Sequence, residues 1–192
     1  MAIKIITIPD PKLRKKSRPI KQIDKKLLRF IEELKQVLLI SENPPGVGLS
    51  APQINKNWRI FATYFRADSP RAKEYTPSPK IQIYLNPQIT KTSKFLTLGP
   101  DKKNPIMEGC LSIPKIYAPV KRHKQIVLEY HQLSPDNKSL VKKNQSFSGF
   151  AARVVQHELD HLNGILFIDR TKEQKNQLYV LQNDQLIPLT TD

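Results

Sequence analysis

At 192 residues the chain is long enough to bury a core without disulfides, and its 39% hydrophobic and 26% charged content is ordinary for a soluble protein. A single cysteine excludes an intrachain disulfide, and no apolar run approaches the roughly 18 residues that a membrane span requires. Lys+Arg 32 against Asp+Glu 17 leaves a net charge of +15, which suits a polyanionic partner but equally describes a solubilising surface.

In chain order, Ile3 to Ile8 alternates and predicts a short strand, ended by Pro9-Asp10-Pro11. It is too short and too alternating for the apolar region of a signal peptide. Basic residues cluster modestly from Lys12 to Lys26, at Lys102-Lys103, from Lys121 to Lys124 and at Lys142-Lys143. No aromatic-interleaved platform of the kind that stacks bases accompanies them. Asp24 is an N-cap for a helix running to about Ile40, with Leu27, Leu28, Ile31, Leu34, Val37 and Leu38 on one stripe. Pro44-Pro45-Gly46 stops it and leads into a small-residue loop, Val47 to Gln53.

Trp58 to Tyr64 and Ile81 to Leu85 read as strands, with a polar loop, Arg66 to Lys80, between them and a turn at Asn86-Pro87. An irregular piece, Thr90 to Pro105, precedes Met107 to Pro114. Gln125 to Leu133 alternates cleanly, Ile126, Leu128 and Tyr130 facing one way. Gly149 to Asn163 is the second helix, with Gly164 as its stop. From about residue 171 a short tail holds one strand-like piece, Leu178 to Leu181. Helices and strands without a βαβ rhythm predict a single α+β domain over 1–192, with mainly antiparallel sheets around a central helix.

The chemistry concentrates on that helix. In Gln156-His157-Glu158-Leu159-Asp160-His161 the two imidazoles are four residues apart, so they share a face and can reach one cation. Glu158, beside the first of them, stands on the ligand face in position for proton transfer, and Asp160 points away as a surface or structural residue. The lone Cys110 reads alone as a small buried hydrophobe. Joined to His157 and His161 it completes three protein ligands with a fourth position open, the pattern of a catalytic metal site. His123 and His131, the other two of four histidines, are expected on the surface with no metal role.

Three segments, Gly46-Val47-Gly48-Leu49-Ser50-Ala51-Pro52-Gln53, Glu108-Gly109-Cys110-Leu111-Ser112 and Gln156 to His161, closely resemble the three signature motifs of peptide deformylases, in order. Asp10 to Arg14 and Asn163 to Asp169 extend the likeness. The resemblance implies a metallohydrolase that removes the formyl group from the N-terminal methionine of new polypeptides, releasing formate. It implies metal ligation by Cys110, His157 and His161, and proton transfer by Glu158. Gln53 and the Leu111 amide would then stabilise the oxyanion, and Gly48 would line the cleft. Candidates for the methionine pocket are Val47, Phe150 and Val154, with the stem of Arg153 beside them. Glu108 and Arg122 are expected to pair behind the metal.

The family's characteristic ion is Fe2+, with Zn2+, Ni2+ or Co2+ as substitutes, whereas ligand type alone suggests zinc. Expected partners are N-formylmethionyl peptides and, transiently, the ribosome, with no membrane and no specific nucleic acid. The location is cytoplasmic, or an organellar stroma or matrix. Segments 66–80 and 90–105 look longer than the family needs, and the tail lacks the long basic helix of some relatives. Two alternatives stay open on the residues alone. An H-E-x-x-H metallopeptidase lacks its downstream third ligand here, and an RNA-binding protein with a structural metal would need neither Gln53 nor Glu158.

Overall fold

The structure, a computed structural model, describes residues 4–42, 45–68, 80–100 and 104–190. Its strands are β1 (Gly48–Ser50), β2 (Ile60–Thr63), β3 (Gln82–Thr92), β4 (Leu96–Thr97), β5 (Met107–Cys110), β6 (Ile113–Pro119), β7 (Arg122–His123), β8 (Gln125–Leu133), β9 (Leu140–Ser148), β10 (Tyr179–Gln182) and β11 (Gln185–Pro188). Its helices are α1 (Lys25–Ile40), α2 (Gly149–Leu162) and α3 (Phe167–Glu173). A five-stranded sheet runs β1-β2-β3-β8-β9, a four-stranded sheet β11-β10-β6-β5, and β4 pairs with β7. Every pairing between these strands is antiparallel, as the α+β expectation required.

The two longer helices serve opposite faces of the larger sheet, while α3 packs on β5 and β6 of the second. α1 starts where the Leu27 amide donates to Asp24 Oδ1 at 2.7 Å, and it buries Leu27, Phe30, Ile31, Leu34, Val37 and Leu38. Phe30 takes the place on the stripe expected of Leu28, which is half-buried. Strand alternation then sorts the core: Ile60, Ala62 and Leu85 pack with α1, while Phe61 and Tyr84 pack with α2 through Ala152, Val155, Leu159 and Leu162. α2 is therefore covered on all sides, and its polar residues Gln156, Glu158, Asp160 and His161 are buried with it. No helix among the described residues is long and apolar enough to cross a membrane.

Five expectations are corrected. The described part of the first predicted strand is extended but unladdered, because Ile6 donates to Gln53 O at 2.8 Å and Ile8 to Ser112 O at 3.0 Å, two different segments. The predicted loop Val47 to Gln53 holds β1 and most of a 3-10 turn over Ala51–Ile54. Asn86-Pro87 is no turn: β3 passes through it with a register shift between Leu85 and Gln88 and Asn86 at φ 50°. Asn86 spends its side chain on the Ile20 backbone, at 2.7 and 2.8 Å, which stabilises that bulge.

The irregular piece from Thr90 holds the end of β3 and then β4, with 101–103 outside the described residues. The tail from 171 begins inside α3, and β10 and β11 extend the second sheet from β6. Most of the 66–80 segment also lies outside the described residues.

Gly164 was expected to stop the helix and does so at φ 73°, where a Cβ would lie 2.3 Å from the Arg14 carbonyl oxygen. Gly164→Ala should therefore lower stability by about 2 kcal/mol or more, seen as a Tm lower by roughly 4–8 °C in thermal unfolding. An unchanged Tm would show that this packing is not required.

Candidate active site

β5 ends on Cys110, and the turn Leu111-Ser112 sends the chain back along β6. That turn lies over α2, so the thiol meets the helix face that presents both imidazoles. Cys110 Sγ is 3.2 Å from His161 Nε2, and the donor atoms of Cys110, His157 and His161 all lie within 4.8 Å of one another. A thiolate and two imidazoles bound to one tetrahedral ion would sit about 3–4 Å apart, so this donor set fits a single zinc- or iron-sized cation. His157 Nδ1 faces Glu108 Oε2 at 3.2 Å, which leaves its Nε2 free to ligate. Among the described residues the donors number three, which would leave a fourth position for solvent.

Glu158, one residue on, is 3% exposed, and its Oε2 is buried without a hydrogen-bond partner. Burial pushes its carboxyl up to about 7, where one group can both accept and return a proton near neutrality. Gly48 makes room for it: a Cβ there would lie 2.4 Å from Glu158 Oε1. The glycine expected to line the cleft is thus required by the acid.

Gln53 is locked by its own turn. Its Oε1 accepts from the Ser50 amide and hydroxyl, both at 2.8 Å. The Nε2 end is thereby aimed at Cys110 Sγ, 3.6 Å, and Ser112 Oγ, 3.3 Å. A side-chain N–H donor is held beside the thiol with its rotamer fixed.

Behind the donors runs a buried chain of ions. Glu108 receives Arg122 through Nε and Nη2, both at 2.9 Å, and Arg153 through Nη1 at 2.7 Å. Arg122 continues to Asp160 at 2.5 Å, and Asp160 to Arg170 at 2.7 Å. Burial alone would raise Glu108, but Arg122 and His157 outweigh it and hold the carboxyl well below the usual carboxylate range. The Glu108–Arg122 pair is as expected. Asp160 is buried, its structural role being to carry that chain onward. Arg153 differs more: its guanidinium turns back to Glu108 and the Val120 and Thr97 carbonyls.

A cavity of about 320 Å³ opens on this site, lined by Val47, Gly48, Gln53, Cys110, Leu111, Phe150, Val154, His157 and Glu158. Of the sequence-predicted ligands, catalytic and pocket residues, all but the more deeply placed His161 reach it, and Arg122 stays behind it. Tyr117, Ile106, Met107 and Pro45 also line it and had no signal of their own, since only pairing of β5 with β6 brings Tyr117 under Gly109. Ser50 and Ser112 stand inside the quoted segments, but their contacts with Gln53 were not foreseen. Of the two remaining histidines, His123 is half-buried with Nδ1 2.7 Å from the Ser93 carbonyl, and His131 is half-buried in β8.

Comparison with known proteins points one way. A profile described as "Polypeptide deformylase" matches residues 2–177. A peptide deformylase of Desulfotalea psychrophila is 35% identical over 179 residues, 92% of each chain. Peptide deformylase 1B, chloroplastic/mitochondrial, of Arabidopsis thaliana is 34% identical over 172 residues, 90% of this chain and 55% of that one. Among solved structures, the peptide deformylase of Thermotoga maritima superposes with a TM-score of 0.69 at 30% identity, covering 88% of this chain and 97% of its own. Arabidopsis peptide deformylase 1B with an inhibitor bound gives 0.71 at 33%, covering 89% and 82%.

Glu108→Gln should leave Arg122 and Arg153 short of a buried carboxylate, costing about 3–5 kcal/mol. The same change should weaken retention of a metal ion about 10- to 100-fold in chelator competition. Unaltered stability and retention would separate the ion chain from the donors.

Proposed function

The chain belongs to the polypeptide deformylase family, and on that premise we propose that Cys110, His157 and His161 hold a divalent cation while Glu158, Gln53 and Leu111 act on the substrate. The reaction is hydrolysis of the N-formyl amide at the N-terminal methionine of a newly synthesised polypeptide, giving formate and a free amine. The observation that carries this assignment of roles is the meeting of three metal donors with a buried carboxylate, one of whose oxygens has no hydrogen-bond partner, at one cavity.

When bound, the ion supplies Lewis-acid charge and lowers the pKa of water at its open position. Water adds across the amide: its oxygen joins the formyl carbon, and the carbon–nitrogen bond breaks. Glu158 takes the proton released from the water and returns it to the departing nitrogen. Gln53 Nε2, held by Ser50, and the Leu111 amide donate to the oxygen that gains charge as the carbon becomes tetrahedral.

Val47, Phe150 and Val154 belong to one apolar cluster with Phe65 and Ile106, which supports their role in receiving the methionine side chain. β5 is the outer strand of its sheet and lines the cavity, so its free edge suits an extended peptide added alongside. The Arg153 guanidinium, anchored to Glu108, stays out of that pocket's apolar work.

Fe2+ is the native ion in this reading, with Zn2+, Ni2+ or Co2+ able to occupy the same donors. Residues 1–192 act as a single catalytic domain, the β10–β11 hairpin included. The net charge of +15 supports transient association with the ribosome, where the substrates emerge; the location in this reading is cytoplasmic, with the organellar stroma or matrix as the alternative.

Glu158→Ala should cut formate release from formyl-Met-Ala-Ser by at least about 100- to 10,000-fold while metal content stays at the wild-type level. Release near the wild-type rate would sink the mechanism. Gln53→Leu should cost about 100- to 1,000-fold in kcat. Anaerobic purification followed by elemental analysis should find iron at about one ion per chain, lost on Cys110→Ala; zinc as the sole bound ion would overturn the iron assignment.

A further inference from the structure

The basic stretch that opens at Lys12 takes no part in this chemistry, yet the fold gives it a shape. Lys12, Lys15 and Arg18 line a cavity of about 350 Å³ together with Pro52, Lys56 and Trp58. The two segments are fastened together. The Arg18 amide donates to Asn57 O at 3.2 Å, the Arg59 amide donates to Arg18 O at 2.7 Å, and Arg18 bridges Trp58 in parallel. All four cationic side chains are exposed. Among the described residues none of the four forms an ion pair with a carboxylate. Trp58 is half-buried, its ring standing edge-on to Phe30 with centroids 5.2 Å apart and Lys56 Nζ over it at 4.8 Å.

We propose that this groove binds the phosphodiester backbone of single-stranded RNA. Unneutralised lysines and an arginine along a concavity supply the charge that phosphates require, and they carry no preference for sequence. An aromatic ring on the floor under a lysine offers a stacking surface to an unpaired base. A volume of about 350 Å³ falls in the range of roughly 300–1,000 Å³ of small-ligand sites. A membrane is the poorer fit, because adsorption to lipid needs apolar side chains projecting outward, and here the apolar members are the buried Pro52 and the half-buried Trp58.

Pro52 lines this groove and the next residue, Gln53, lines the catalytic cavity. A strand held here would lie on the far side of one 3-10 turn from the reacting end of the polypeptide. The proposal gives the ribosome association inferred above a location, and it rests on that reading only for its setting.

Trp58 is the chain's one tryptophan, so its fluorescence reports the groove directly. Titration of the full chain with a short oligouridylate should quench it, with log K falling against log[salt] at a slope of about −2 to −3, as three or four phosphates demand. Replacing Lys12, Lys15, Arg18 and Lys56 by Gln should weaken binding roughly tenfold or more and flatten that slope. Replacing Lys124, Lys138, Lys142 and Lys143 by Gln removes as much charge and should change binding less than about threefold. Formate release from a short formyl peptide should remain at the wild-type rate in both variants. Lys15→Gln alone should reduce the slope by about 0.7, which keeps the test decisive if the quadruple variant folds poorly.

Equal weakening by both variants would reduce the effect to general charge and overturn the groove. Groove-dependent binding of phosphatidylglycerol vesicles or of polyglutamate, with none of oligouridylate, would overturn the choice of RNA. Ribosomes that pellet wild-type and groove variant equally would overturn the location while leaving ribosome association and deformylation intact.

Discussion

One carboxylate, Glu108, joins the strand that carries the thiol to the helix that carries the imidazoles. It sits on β5, two residues before Cys110, and reaches Arg153 and His157 on α2 as well as Arg122 on β7. Taking such a charge out of water costs several kcal/mol unless its lone pairs are filled, and here both oxygens are. The position of Cys110 against His157 and His161 is therefore set by hydrogen bonds of fixed direction rather than by apolar packing, which tolerates sliding. Asp160 and Arg170 prolong the same chain into α3, so the helix after the site is tied to the site's geometry.

The reacting side of α2 depends on a second constraint, the closeness of β1. Glu158 is buried against backbone that only a glycine can supply, and the adjoining Ser50 fixes Gln53 through two contacts to one oxygen. A single short segment thus positions both Glu158 and Gln53, the residues proposed above for proton transfer and oxyanion binding. The apolar surroundings that shift the acid also exclude solvent from it.

Much of this was legible in the residues, and the reasons differ by element. The histidine spacing on α2 and the Asp24 cap are local, and local signals survive folding. Glu108 and Arg122 were readable as a pair only through family resemblance, since nothing in their separation predicts contact. Helical phase turned Asp160 away from His157 and His161 and left it as surface or structural; only the fold chose the structural role, by placing Arg122 and Arg170 on that side. Asn86-Pro87 misled: a dipeptide that favours turns was overruled by long-range bonds to Ile20 and by pairing of β3 with β8. Tyr117 carries no pattern of its own, and neither do the contacts of Ser50 and Ser112 with Gln53. Phe150 and Val154 were legible as apolar positions of α2 beside the opening, where they cluster with Val47, Phe65 and Ile106.

The outer strand of the larger sheet has a consequence of its own. β9 is nine residues long and exposed on both sides over most of its length, and its free edge offers unpaired amides and carbonyls to any neighbouring chain. Lys142 and Lys143 stand on that rim, exposed, within a stretch whose remaining members are mainly polar. Lys142 is held to Glu129 at 2.9 Å, so two copies approaching rim to rim would bring together chiefly the Lys143 ammonium groups, a repulsion that opposes strand addition and aggregation.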